Sequence, residues 1–185
     1  MRLVVAITGA SGAIYGITLL KELAARGVEV HLILSRAARY IIAQETPYSA
    51  GEVAGLAFRC YDEDDFAAPM ASGSFVHDGM VVVPCSMKTL AGVAAGYAAN
   101  LVQRAADVTL KERRRLILVP RETPLSPVHL ENMLKLARLG VVIMPPVPAF
   151  YTKPKTLDDI VIFTVGRVMD HLGIAHSLFR RWGEA

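Results

Sequence analysis

The feature that most constrains this chain is a rhythm in which short unbroken apolar runs alternate with longer stretches of helical period. Leu3–Thr8, Val28–Leu34, Met80–Val83, Leu116–Val119 and Val141–Met144 are the runs, and they read as strands. A strand with one face in water alternates apolar and polar residues. Unbroken runs need cover on both faces, as parallel strands between helices have. Ala57–Tyr61 reads as a short additional strand. Helical patterns fall between the runs, near Ile14–Arg26, Arg36–Gln44, Met87–Ala98, Ala105–Arg113, Pro127–Arg138 and Leu157–Leu172. Ser126 followed by Pro127 is an N-cap and first-turn signature, and Gly140 closes the helix it starts. Such alternation predicts an α/β chain with a doubly wound parallel sheet and right-handed crossovers. With 185 residues and no linker or repeat, it is expected to form a single domain, 1–185.

Composition enters because 53% of the residues are hydrophobic and mean hydropathy is +0.38. A disordered chain is excluded, since its low hydrophobicity could not offset ordering entropy. A membrane span is the competing use of that apolarity. The stretch from Leu3 to Leu20 carries no charge and reaches the roughly 18 residues a span needs. It also follows Arg2 and contains the small residues Ala10-Ser11-Gly12-Ala13, as a signal peptide would. Its first half is β-branched, its second half helical, and glycines sit at 9, 12 and 16. A strand, a glycine turn and a helix fit better, in a hydrophobic domain that hides further surface in an oligomer. The 2 cysteines make no disulfide or zinc spacing, and the 5 histidines are not paired as ligands. A reduced, cytoplasmic protein without a metal is expected. Net charge is +3, and the single basic cluster at 111–115 is too little for nucleic acid.

In a doubly wound sheet the ligand sits outside the carboxyl ends of the strands. The first strand ends in Thr8-Gly9-Ala10-Ser11-Gly12-Ala13, and the second in Ser35-Arg36. Later strands end in Pro84-Cys85-Ser86-Met87-Lys88-Thr89, in Pro120-Arg121-Glu122-Thr123, and in the proline-rich segment reaching Tyr151. Hydroxyls, one arginine and one glutamate therefore collect on one edge, the outline of an anion site. Gly9 to Gly12 lets backbone N–H groups and a helix N-terminus approach a phosphate, or simply lets strand and helix pack closely. A dinucleotide fold places an acidic residue about 20 residues downstream, and here that place is Ser35-Arg36. NAD is disfavoured; NADP through Arg36 and a mononucleotide such as FMN both stay open.

Ser86 is either a plain N-cap or a cap facing a flavin. Cys85 reads as a buried structural thiol, since no histidine accompanies it. Arg121 and Glu122 directly follow an apolar strand, where charge is costly without a purpose. Arginine clamps phosphate bidentately, and a glutamate partly desolvated beside a ligand has a raised pKa and can move a proton. The run Tyr61-Asp62-Glu63-Asp64-Asp65 invites a Mg²⁺ reading, but it has no facing cluster and is expected to be a solvated turn.

Seven blocks of sequence, in order along the chain, carry a further resemblance. They are Gly9-Ala10-Ser11-Gly12-Ala13, Ala71-Ser72-Gly73-Ser74, Pro84-Cys85-Ser86, Arg104 to Val108, Leu110 to Arg114, Val119 to Pro124 and Met144 to Tyr151. From Leu3 to Trp182 the chain resembles the UbiX-type flavin prenyltransferase family. The resemblance implies a flavodoxin-like or Rossmann-like α/β/α fold, assembled as a homododecamer of trimers. It implies transfer of a dimethylallyl group from dimethylallyl monophosphate to N5 and C6 of reduced FMN, without metal, the product going to a UbiD-type decarboxylase. By resemblance, Gly9, Ala10, Ser11, Ser35, Ser86, Met87, Lys88, Thr89 and Arg121 would hold FMN. Tyr151, Arg167, Lys111 and Arg104 would hold the substrate phosphate, some from a neighbouring subunit. Glu122 would transfer the proton, with Ser11 near N5 and Glu45 as a further active-site carboxylate. Phe66 stands where some relatives carry tryptophan. An FMN-dependent cysteine decarboxylase and a non-catalytic flavin carrier are the alternatives. The former's Pro-x-Met-Asn loop is absent, and His31 lies in a predicted strand.

Overall fold

The computed structural model describes residues 1–183. Parallel strands β1 (Arg2–Ile7), β2 (Glu29–Leu34), β3 (Arg59–Asp62), β4 (Gly79–Cys85), β5 (Leu116–Pro120) and β6 (Val142–Ile143) form one sheet in the order β3-β2-β1-β4-β5-β6. That is the Rossmann order, in which strand sequence reverses at β1 and β4. The helices are α1 (Ala13–Ala24), α2 (Arg36–Glu45), α3 (Ala50–Ala54), α4 (Met87–Ala95), α5 (Leu101–Lys111), α6 (Pro127–Arg138) and α7 (Leu157–Leu172). Short 3₁₀ turns lie at Pro69–Ala71 and Phe150–Thr152.

The apolar runs are unbroken because both strand faces are covered. Leu3, Val5 and Ile7 of β1 pack with Ile17, Leu20 and Leu23 of α1 and Val165 and Met169 of α7. Val4 and Ala6 face the other way, into Leu90 of α4, Leu101 and Ala105 of α5 and Leu136 of α6. The result is three layers, α/β/α. The uncharged stretch from Leu3 to Leu20 is strand, turn and helix, and no helix among the described residues is long and apolar enough to cross a membrane.

Several expected boundaries move. Helix α5 begins at Leu101 because the Asn100 side chain accepts from Gln103 N–H and caps it. Helix α4 stops at Ala95, before left-handed Gly96. Strand β6 shrinks to two residues, and β3 lies further along than expected, at Arg59–Asp62. Ser126 and Pro127 start α6 as expected, in a capping box closed by His129. Helix α3 has no counterpart among the helical patterns of the sequence.

Candidate active site

The turn between β1 and α1 is built from close contacts. A Cβ on Gly9 would collide with Cβ of Ala37 in the first turn of α2. Gly12 adopts φ +98 as the N-cap of α1, a left-handed conformation glycine reaches without a steric cost. Thr8 is buried and ties this turn to the next: its hydroxyl donates to Pro84 O at 2.7 Å and accepts from Ser86 N–H at 2.8 Å.

Four helix N-termini open on this edge, and the chain treats them differently. Ser35 caps α2 by accepting from Ala38 N–H at 3.0 Å, and Ser86 caps α4 by accepting from Thr89 N–H at 3.3 Å. Ser86 is therefore an N-cap in fact, and its Oγ lies 3.0 Å from the Thr89 hydroxyl. Thr8, Gly9, Ser35, Ala37, Glu63, Ser86, Lys88, Thr89, Asn100 and Val102 line one cleft of about 230 Å³. Helix N-termini facing a cleft with hydroxyls and a lysine suit an anion.

Helix α1 is served by a carboxylate instead. Glu45, the last residue of α2, accepts from Gly12 N–H at 2.7 Å. Partial burial pushes its pKa up. Hydrogen bonds from the Ser11 hydroxyl and from Gly12 and Ala13 N–H, with the Arg121 charge, outweigh that and hold the carboxyl below its usual range. Ser11, Glu45 and Arg121 thus form one cluster. Arg121 continues β5 by donating its backbone N–H to Cys85 O at 3.3 Å, while its Nε is buried with no partner among the described residues. A buried orphan donor needs an acceptor from outside the chain. That observation, with the cleft's donors, fits a ligand carrying both a phosphate and ring carbonyl or nitrogen acceptors, as FMN does.

The other expected residues fall in three places. Glu122 follows Arg121 but is exposed, its Oε1 accepting from Thr123 N–H at 3.0 Å. The desolvation expected around it is not supplied by this chain alone. Tyr151 is 40% exposed and packs edge-on against Phe163 and Trp182, with centroids 6.0 and 5.2 Å apart. Arg104, Lys111 and Arg167 do not reach the cleft. Arg104 donates to Ala71 O at 3.0 Å and pairs with Asp107, Lys111 pairs with Glu112, and Arg167 pairs with Asp170. Lys111 ends a helix whose start lines the cleft, about 15 Å away at 1.5 Å per residue. Phe66 is 50% exposed, on the segment after β3.

The acidic run is in part the solvated turn expected: Tyr61 and Asp62 end β3, a turn follows at Glu63 and Asp64, and Asp62 and Asp64 are exposed. Asp64 pairs with Arg36 and Asp62 with Arg39. Arg36, the cation an NADP 2′-phosphate would need, faces Asp64 in an exposed ion pair. Glu63 lines the cleft itself. Glu63 and Asn100 are site residues that sequence reasoning misses, whereas Thr8 stands among the strand-end hydroxyls it collects. A signal is present for Glu63, since the strand-end rule applied to a third strand points to it. Among the described residues, no group of three or more His, Cys, Asp or Glu is placed to hold a metal ion. Cys85 is fully buried, and burial pushes its thiol up to about 12, so it is no nucleophile.

Fold and site together define a flavin-binding α/β protein, and comparison with known proteins agrees. The family model described as Flavoprotein matches residues 1–169. The chain is 56% identical over 183 residues to the flavin prenyltransferase UbiX of Methanocaldococcus jannaschii, covering 99% of each. A crystal structure described as a dodecameric FMN-dependent UbiX-like decarboxylase from Escherichia coli O157:H7 superposes with a TM-score of 0.97 at 56% identity, over the whole of both chains. AnUbiX in complex with FMN and dimethylallyl pyrophosphate superposes with a TM-score of 0.97 at 50% identity, covering 100% of this chain and 98% of that one. The chain belongs to the flavin prenyltransferase family. Peptidyl-cysteine decarboxylase EpiD, at 21% identity and a TM-score of 0.66, shares the fold alone.

Proposed function

We propose that this protein joins a dimethylallyl group to reduced FMN. The observation that carries this reading is the Ser11–Glu45–Arg121 cluster with its orphaned Nε, beside a cleft of helix N-termini, in a chain of this family. Reduced FMN supplies the electron-rich ring that takes the group at N5 and C6. Ser35, Ser86 to Thr89 and the turn Gly9 to Ser11 bind and orient its phosphate and ribityl chain. Arg121 holds the ring's acceptor atoms.

Breaking the C–O bond of a dimethylallyl phosphate leaves charge on the departing phosphate, so cations there lower the barrier. Tyr151 and Arg167, with Arg104 and Lys111, are the candidates. Because the last three lie away from the cleft in their own chain, a neighbouring subunit of a homo-oligomer must bring them to it. Closure by that neighbour would also exclude water from Glu122, the setting in which a positioned carboxylate moves a proton. The finer assignments that follow from family membership are a dodecamer, a cytoplasmic site of action, and delivery of prenylated FMN to a UbiD-type decarboxylase.

The test is anaerobic incubation of the purified protein with reduced FMN and dimethylallyl monophosphate, followed by mass spectrometry of the flavin. The expected flavin is heavier by one dimethylallyl group less the hydrogen it replaces, with phosphate released. Bound but unmodified FMN would overturn the prenyltransferase reading and favour a flavin carrier.

A further inference from the structure

Glu63 is the one carboxylate among the residues lining the cleft. Its Oε1 accepts from Arg36 N–H, the first amide of α2, at 2.7 Å. Its Oε2 accepts from the Asn100 side-chain amide at 2.9 Å, and its backbone carbonyl accepts from Leu101 N–H, the first amide of α5, at 2.7 Å. One residue therefore bridges the starts of two helices. Both carboxylate oxygens are held, so the side chain is not free to swing aside. Sheet order fixes which end it occupies. Arg121 follows β5 and Ser86 follows β4, then come Gly9 after β1 and Ser35 after β2, and Glu63 follows the edge strand β3.

We propose that Glu63 is a specificity-determining residue that bars the cleft to flavins extended beyond the first phosphate, so that FMN is accepted and a flavin adenine dinucleotide is rejected. The inference rests on the flavin reading above. With the ring at Arg121 and the phosphate among Ser35, Ser86 and Thr89, anything attached to that phosphate runs toward β3. There a second phosphate meets a fixed carboxylate, an anion against an anion at close range. Of the nearby cations, Lys88 lines the cleft beside Ser86 and Thr89, where the first phosphate sits, and toward β3 Arg36 and Arg39 face the carboxylates of Asp64 and Asp62. The acidic run after β3 thus guards the phosphate end of the site and need bind nothing itself.

The experiment measures the affinities of the full chain for oxidised FMN, FAD and riboflavin by flavin-fluorescence quenching, in wild type, Glu63→Gln and Glu63→Ala. Glu63→Gln keeps the shape and removes the charge; Glu63→Ala also opens the bridge. The wild type should prefer FMN to FAD. The FMN-to-FAD ratio should fall by about tenfold in Glu63→Gln and further in Glu63→Ala. Riboflavin, which has no phosphate, should respond to neither change, whereas a merely structural role would weaken all three flavins together. A folded variant with an unchanged FMN-to-FAD ratio overturns the proposal. Since Glu63→Gln is nearly isosteric, it decides the question even if Glu63→Ala fails to fold. A wild type that binds no flavin overturns the flavin reading itself, which is a separate and distinguishable result.

Discussion

At Arg121 a buried Nε–H has no acceptor among the described residues, and burying a donor without a partner costs about 1–3 kcal/mol. A residue kept under that penalty is expected to be repaid by a ligand. Arg121→Met should therefore change unfolding stability by less than ~1 kcal/mol, since it removes the orphan along with the charge. FMN affinity, measured by titration calorimetry, should fall roughly tenfold to a hundredfold, the worth of a hydrogen bond to a charged group. Glu122 differs because it is exposed and accepts from its neighbour's amide. Glu122→Gln should leave FMN affinity nearly intact and slow product formation by about 10²–10⁴-fold, the range for a lost proton-transfer group. Loss of FMN binding in that variant would make Glu122 a structural residue.

At the scale of elements, the turn from β1 into α1 works only if α2 can lie against it. A Cβ at Gly9 would overlap Ala37, and Ala37 belongs to the backbone turn that presents Ser35 to the cleft. Gly9→Val should cost about 1–3 kcal/mol by thermal or denaturant unfolding and weaken FMN binding as well. Gly51 in α3, with nothing closer than 3.9 Å, is the control: Gly51→Ala should be neutral or stabilising. The same elements show what a sequence reveals. Strands β1, β2, β4 and β5 are legible because cover on both faces leaves unbroken apolar runs. β3 is not, because this edge strand, Arg59-Cys60-Tyr61-Asp62, buries one residue of four and carries two charges. With the end of β3 misplaced, Glu63 stays hidden as a strand-end residue. Asn100 is hidden similarly, in a cap five residues ahead of the expected helix start. Glu45 closes α2, and no local pattern announces that its carboxylate reaches Gly12, 33 positions earlier.

The whole molecule explains the remaining mismatch between sequence and site. Val128, Leu130, Leu134 and Leu139 on and just beyond α6, together with Phe150, Leu157 and Trp182, are all at least half exposed. A chain with so much apolar surface uncovered is expected to bury it against copies of itself. The same assembly would explain why Arg104, Lys111 and Arg167 sit paired with local carboxylates, remote from their own cleft. Complementation tests this directly. The Glu122→Gln chain and the Lys111→Ala chain should each be nearly inactive when assembled alone. If one site draws Glu122 from one subunit and Lys111 from the next, co-assembly at equal amounts leaves about a quarter of the sites with both wild-type residues. Turnover by the mixture should recover to roughly that fraction of the wild type, and only after the chains are unfolded or co-expressed so that they can mix. If mixed assemblies of confirmed composition stay inactive, both residues act within one chain, and Lys111 must then move to the cleft by a rearrangement of α5 and the loop before it.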